Sequence, residues 1–347
     1  MIDRRSTFVA LGTLAAAAAL PGLAAIPKAP LASRKPKRLR PGDTVGIIQP
    51  AGFADDSFDL DLVDENIRAM GLVPKRGKHL LARSGYLAGE DAERAADVNA
   101  MFVDPDVAAI FAVRGGWGCA RILPLLDWEA IRRTPKLLVG FSDITALHLA
   151  IAAKAGFTTI HGPNGSSSWN KFSWDAFRSL AFEAAMPTYR NPELPEDRLV
   201  PRSGRVRTIR EGIARGPLLG GNLSVLAALM GTPYLPDFSG AILFVEDTNE
   251  AEYRIDRMLT QLALGGVLGK LAGVVFGQCT DCVARDAGYG GFTLSEVLVQ
   301  HLRPLGIPVF QGAQFGHVAS QFSLPLGVPA EIDARAGTIR LLEPAVS

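Results

Sequence analysis

The sequence predicts an α/β protein built around a parallel sheet, and three observations lead to that class. Apolar runs of strand length, Thr44 to Gln49, Val107 to Val113, Leu137 to Phe141 and Thr158 to His161, alternate with segments whose apolar residues recur at helical spacing. Alternation of this kind gives parallel strands joined by right-handed crossovers. The stretches after those strands, Pro50-Ala51-Gly52, Gly115 to Cys119, Ser142-Asp143 and His161 to Gly165, then fall at strand carboxyl ends, the edge where such sheets assemble ligand sites.

Each element has a local cause. Asp59 to Met70 places Leu60, Val63, Ile67 and Met70 on one helical face and stops at Gly71. Asp91 is placed to cap a helix through Phe102. The run Val107 to Val113 leads into Arg114-Gly115-Gly116-Trp117-Gly118-Cys119, and Ala120 to Leu126 resumes in a helical pattern as far as Pro124. Ser142-Asp143 reads as the N-cap of a helix from Ile144 to Ala155, closed by Gly156. After a turn-rich region, Leu219 to Asn222 opens a helix reaching Gly231, and Ala241 to Val245 is a strand ending in Glu246-Asp247. Asn249 and Glu252 have capping-box spacing for a helix to Leu262. Leu271 to Gly277 and Pro308 to Phe310 read as strands, Leu294 to Leu302 as a helix, and Ala330 to Asp333 with Thr338 to Leu342 as a closing pair of strands.

The 347 residues suffice for one large or two ordinary domains, and 36 basic against 35 acidic side chains leave a net charge of +1. That balance gives no support for a nucleic-acid partner. At the N-terminus, Arg4-Arg5 precede an apolar run from Phe8 to Leu20 and small residues follow, so residues 1–25 read as a secretory signal, Tat or Sec, with a periplasmic destination. No stable membrane span is expected after processing. Residues 26–41, rich in Pro, Lys and Arg, read as a flexible tether, and 166–210 as linker and insertion between domains. Of the three cysteines, Cys279 and Cys282 form a CxxC that an oxidising compartment could close, which leaves Cys119 unpaired. No further ligands are spaced for a metal, and no cofactor is expected.

A strand, a Gly-rich turn and a helix start with a nucleophilic side chain at the junction is the layout of a nucleophile elbow, and Val107 to Leu126 has it, with Cys119 at the junction. A thiol nucleophile needs a base, and the base an orienting acid. Of the five histidines, His161 ends a strand at the same sheet edge and His317 sits in a loop after a strand; pattern leaves both open. Glu246, at the end of an apolar strand, is the acid least explained by helix-terminal charge.

Seven segments in order then resemble the LD-carboxypeptidase family, which includes microcin C immunity-type peptidases: VGIIQPAG at 45–52, AVRGGWGCARILPLLD at 112–127, VGFSDITALH at 139–148, HGPNG at 161–165, GPLLGGNLSVLAALMGTPY at 216–234, ILFVEDTNEAEYRIDRMLTQL at 242–262 and GIPVFQGAQFGH at 306–317. The resemblance implies a flavodoxin-like N-terminal domain, here 42–165, and a smaller β-rich C-terminal domain, here 211–347, with the site between them. It implies metal-independent release of a terminal D-alanine from murein tetrapeptides through a Ser-Glu-His triad and an acyl-enzyme, with the murein peptide as partner and a homodimer as a common assembly. Carried onto this chain, it implies Cys119 at the nucleophile position in place of serine, Glu246 as acid with Glu250 as the alternative, and His317 as base. Backbone N–H groups near Gly116 and Ala120 would hold the oxyanion, and Asp143, Asn222 and Trp117 would line the substrate cleft. The other expectations are a related hydrolase of peptidyl or acyl adenylates, with Trp117, Trp169 or Trp174 as aromatic platform, and a murein-peptide binding protein without catalysis.

Overall fold

The structure is a computed structural model, and it describes residues 34–192, Leu199, 204–283 and 291–347. The signal expected over 1–25 lies outside the described residues. The first half follows the expected alternation: β1 (Thr44–Ile48), α1 (Ser57–Ala69), β2 (Val73–Arg76), α2 (Asp91–Val103), β3 (Val107–Ala112), α3 (Cys119–Ile122), α4 (Trp128–Arg133), β4 (Leu137–Gly140), α5 (Thr145–Lys154) and β5 (Thr159–His161). The second half continues with α6 (Lys171–Ala181), β6 (Thr188–Tyr189), β7 (Arg207–Arg210), β8 (Ile213–Asn222), α7 (Leu223–Ala228), β9 (Ile242–Thr248), α8 (Glu252–Leu264), β10 (Gly273–Thr280), α9 (Leu294–Leu302), β11 (Val309–Gln311), β12 (Leu324–Leu326), β13 (Pro329–Asp333) and β14 (Thr338–Leu341).

Two sheets result. One has six strands in the order β12-β5-β4-β3-β1-β2, all parallel but for β12, which runs antiparallel to β5. The other has eight, β6-β14-β13-β8-β9-β10-β11-β7, with β8 to β11 parallel and antiparallel strands on both flanks. The central strands are buried on both faces, which is why they read as continuous apolar runs. Burying one Val, Leu or Ile side chain contributes about 1.5–3 kcal/mol, so these runs dominate the folding drive.

Several boundaries differ from expectation for identifiable reasons. Asp56 caps α1, accepting from the N–H groups of Phe58 and Asp59, so the helix starts earlier than its apolar face. Glu90, not Asp91, caps α2, because Glu93 returns its carboxylate to the Glu90 N–H. The helix α8 begins after Ala251 without a side-chain cap, in place of the box expected from Asn249 and Glu252. The tether expected over 26–41 is packed down in its described part: Leu39 is buried, its N–H donates to Ala181 O, and Arg38 N–H donates to Ser347 O. The stretch 166–210 holds α6, whose Phe177 is buried against Phe111 of β3, and two edge strands of the second sheet.

The two sheets meet where α5 starts and β8 ends. Thr145 Oγ1 accepts from the Asn222 N–H at 2.9 Å. Gly221 has φ 134°, and a Cβ there would lie 2.4 Å from Thr145 Oγ1, so only glycine lets the strand end approach this closely. That junction carries the carboxyl end of β9 to the carboxyl end of β4.

Candidate active site

Ser142 follows β4 and Phe141, in Gly140-Phe141-Ser142-Asp143. Asn164 Oδ1 accepts from the Phe141 N–H at 3.1 Å, and His148 Nε2 lies 2.9 Å from Gly140 O. A carbonyl only accepts, so Nε2 carries the proton, and His148 Nδ1 accepts from Thr159 Oγ1 at 2.9 Å. Burial lowers the His148 pKa to about 4, so it holds the strand end as a neutral ring. Ser142 then turns with φ 65°, a left-handed conformation that costs a non-glycine residue energy and recurs at functional sites. A short 3-10 turn over Ser142–Ile144 leads directly into α5.

His317 comes from the loop after β11. Its Nδ1 is 2.7 Å from Glu246 Oε2 and its Nε2 is 3.1 Å from Ser142 Oγ. With Glu246 accepting from Nδ1–H, Nε2 is the acceptor and the Ser142 hydroxyl donates to it. The His317 backbone is tied by Thr280 Oγ1, which donates to His317 O at 2.7 Å. Gly316 has φ 106°, and a Cβ on it would sit 2.7 Å from Glu246 Oε2, so glycine is required beside this pair. Burial works against charge on His317, but the Glu246 hydrogen bond and the charges of Glu246 and Asp247 outweigh it, and its pKa is raised. Glu246 itself is fully buried.

The neighbouring carboxylates are organised by Asn222. Its Nδ2 reaches Glu246 Oε1 at 3.4 Å and Asp247 Oδ1 at 3.1 Å, while its Oδ1 accepts from the Val225 N–H and caps α7. Burial pushes Asp247 up to about 6, against the hydrogen bonds from Ser224, Thr248 and Asn222. Glu250, the alternative acid, is 3.5 Å from Ser224 Oγ and from Arg254, so the residue on the histidine is Glu246.

Cys119 requires a correction. The strand, Gly-rich turn and helix start are present, with Gly118 at φ 112° ahead of α3, yet both nitrogens of His317 are engaged by Glu246 and Ser142. Cys119 is fully buried, and its N–H donates to Asp143 Oδ2 at 2.8 Å. Burial first, then the charge of Asp143 and a hydrogen bond to it, push the thiol pKa well above its ordinary value, the opposite of a poised thiolate. The hydroxyl missed in the sequence stood in plain view: a Gly-x-Ser after a buried strand and before a helix is part of the elbow pattern.

The other expected residues are redistributed accordingly. Gly115, rather than Gly116, faces the serine: a Cβ on it would lie 2.7 Å from Ser142 Cβ and 2.9 Å from Ser142 Oγ. Gly116 packs on Gly52, and Ala120 is exposed on α3. Asp143 and Asn222, expected in the cleft, are buried and spent on the Cys119 N–H and on the carboxylates. Trp117 stands 69% exposed beside Tyr86. His161 is fully buried among Phe141, Phe244 and Phe315, and burial holds its pKa well below normal. A cavity of about 290 Å³ opens beside His317, lined among others by Phe141, Ser167, Trp169 and Gln321. Among the described residues no group of histidine, cysteine and carboxylate side chains could hold a metal ion.

Comparison with known proteins follows this geometry. The LD-carboxypeptidase N-terminal domain matches residues 45–162 and the LD-carboxypeptidase C-terminal domain matches 215–332. A putative carboxypeptidase of Streptomyces coelicolor is 40% identical over 90% of this chain and 97% of its own length. A probable murein peptide carboxypeptidase of Bacillus subtilis is 37% identical over 90% and 95%. Among solved structures, the microcin C7 self-immunity protein MccF, found in Escherichia coli, in its complex with glutamyl sulfamoyl guanosine superposes with a TM-score of 0.81 at 27% identity, covering 90% of this chain and 99% of that one.

Proposed function

The chain belongs to the LD-carboxypeptidase family, whose named members support a peptidase role, and we propose that it releases the terminal D-alanine from murein tetrapeptides with Ser142 as nucleophile. One observation carries this: Ser142 Oγ, His317 and Glu246 form a continuous hydrogen-bonded line at 3.1 and 2.7 Å. His317 takes the hydroxyl proton as Ser142 attacks the carbonyl before the terminal residue. Glu246 keeps the ring in the required tautomer and stabilises the imidazolium. The N–H of Asp143, following the nucleophile, and an N–H of the adjacent Gly115-Gly116 turn would serve as oxyanion donors, the roles such groups have in an elbow; Gly115 lies close enough that a Cβ on it would be 3.3 Å from the Asp143 nitrogen. His317 then returns the proton to the leaving amine, and water, deprotonated by the same ring, resolves the acyl-serine.

Incubation of the purified protein with a murein tetrapeptide, read by mass spectrometry, tests this. Free D-alanine, tripeptide and an acyl adduct on the Ser142 peptide are expected. An adduct on Cys119, or turnover surviving in Ser142→Ala, would sink it. The second reading, hydrolysis of an acyl-sulfamoyl nucleoside, draws on the likeness to MccF and on Trp169 in the cavity wall. Trp169 is also packed against Phe111 and Phe177 and donates from Nε1 to Asn164 O, a structural role. Faster turnover of a glutamyl sulfamoyl nucleoside than of tetrapeptide would favour that reading. Export is part of the proposal: the Cys279–Cys282 disulfide suits an oxidising compartment, and the N-terminus of the mature protein checks it.

A further inference from the structure

We infer that Arg114, assisted by Arg83, receives the terminal carboxylate of the substrate and so makes the site an exopeptidase site; the inference rests on the carboxypeptidase reading above. Three observations meet at this residue. Arg114 immediately precedes Gly115, which lies so near the serine that a Cβ on it would be 2.7 Å from Ser142 Cβ. Its guanidinium spends one hydrogen bond, Nη1 to Phe53 O at 3.1 Å, which leaves most of its five donors available. Arg83 lies over the Phe53 ring, its Cζ 3.7 Å from the centroid, so two guanidinium groups gather at Phe53, next to Gly52, whose N–H donates to Gly115 O at 3.2 Å. Both are exposed, and among the described residues neither is paired with a carboxylate.

The other cations near the turn are committed. Arg94 is fully buried and bonded to Pro50 O, Gly118 O and Asp91. Arg121 is held by Asp91 through both its Nε and its Nη2. The opposite side of the site, at the end of β9, carries Glu246, Asp247 and Glu250, which repel an anion. A terminal carboxylate is three bonds from the attacked carbonyl carbon, on the order of 4 Å, while consecutive Cα atoms are about 3.8 Å apart. A side chain of arginine length anchored one residue from the Ser142 contact spans that interval. Arginine is also suited to a planar carboxylate, because its donors form a bidentate fork.

The test compares a tetrapeptide ending in a free acid with the same peptide ending in a carboxamide. The wild type is expected to prefer the acid in kcat/KM by roughly tenfold to a hundredfold, the range of a charged hydrogen bond. Arg114→Gln should bring the ratio near one by slowing the acid alone, Arg114→Lys should keep part of it, and Arg83→Gln should lower it less. Equal losses on both peptides, or an unchanged ratio, overturn the inference. Calorimetric binding of the two peptides to Ser142→Ala, with and without Arg114→Gln, reads the same preference without turnover. If the wild type cleaves neither peptide while Ser142→Ala still binds the acid in an Arg114-dependent way, the catalytic reading fails and this one stands. If Ser142→Ala binds the acid no better than the amide, this one fails.

Discussion

Two turns of the first sheet invite comparison. Both follow a buried parallel strand, both precede a helix, and both place a potential nucleophile at the junction: Cys119 after β3 and Ser142 after β4. They solve different problems. The turn after β3 uses left-handed glycines, Gly116 and Gly118, to lie flat against Gly52 and to bring Gly115 against Ser142, and its thiol is buried beneath. The turn after β4 places the left-handed angle on the serine itself, which lifts the hydroxyl to His317. A glycine-rich turn signals close approach of backbone to something; here that something is Ser142 of the neighbouring turn.

The largest expected effects break the comparison outright. Ser142→Ala should lower kcat by about 10⁴- to 10⁶-fold, the scale of removing the nucleophile from a triad. Cys119→Ala in the same assay should stay within about threefold of wild type, its cost appearing as a lower midpoint in thermal unfolding because it opens a cavity in the core. A reversal of these two results would return the nucleophile to the first turn.

Glu246→Gln should lower kcat by about 10⁴-fold, since a glutamine no longer selects the tautomer. It should also move the acid limb of the pH profile. His317 must lose its proton before it can act as base, and its raised pKa moves the wild-type limb upward from the ordinary histidine value. Removing the Glu246 charge moves that limb to lower pH. The same linkage applies to stability: the contribution of the Glu246–His317 ion pair is full below the unfolded histidine value and is lost as pH rises through the raised folded one. A limb that stays in place in Glu246→Gln would argue against the pairing.

Gly115→Ala tests the contact between the turns. Its methyl would meet Ser142 Cβ and Oγ, and displacing the serine should cost about a hundredfold in kcat with little change in KM. An active alanine variant would mean that the two turns are less tightly registered. The smallest effect concerns labelling: native protein should resist alkylation at Cys119 at neutral pH, because the thiol is buried and its pKa raised, and denatured protein should label readily.

Much of this was legible in the sequence. The buried strands announced themselves by unbroken apolar runs, and the left-handed glycines of the turn by their clustering. His317 and Glu246 were legible through resemblance, and the structure sets them 2.7 Å apart. Ser142 was read as a helix cap because a serine before a helix usually is one, and its positive φ is invisible in one dimension. Asn222 and Asp143 were assigned to the cleft through resemblance; what the sequence does not reveal is their partners, the Cys119 N–H for Asp143 and the Glu246 and Asp247 carboxylates for Asn222.

The sequence by itself determined the parallel architecture, the strand ends that gather the site, and the family. The first two follow from periodicity and local chemistry, which act over a few residues, and the family from the resemblance of seven segments in order. The tertiary structure decided which of two similar turns meets His317. That choice rests on the docking of Thr145 against Gly221 and Asn222, which carries Glu246 and His317 to β4 rather than to β3, a contact between residues far apart in the chain.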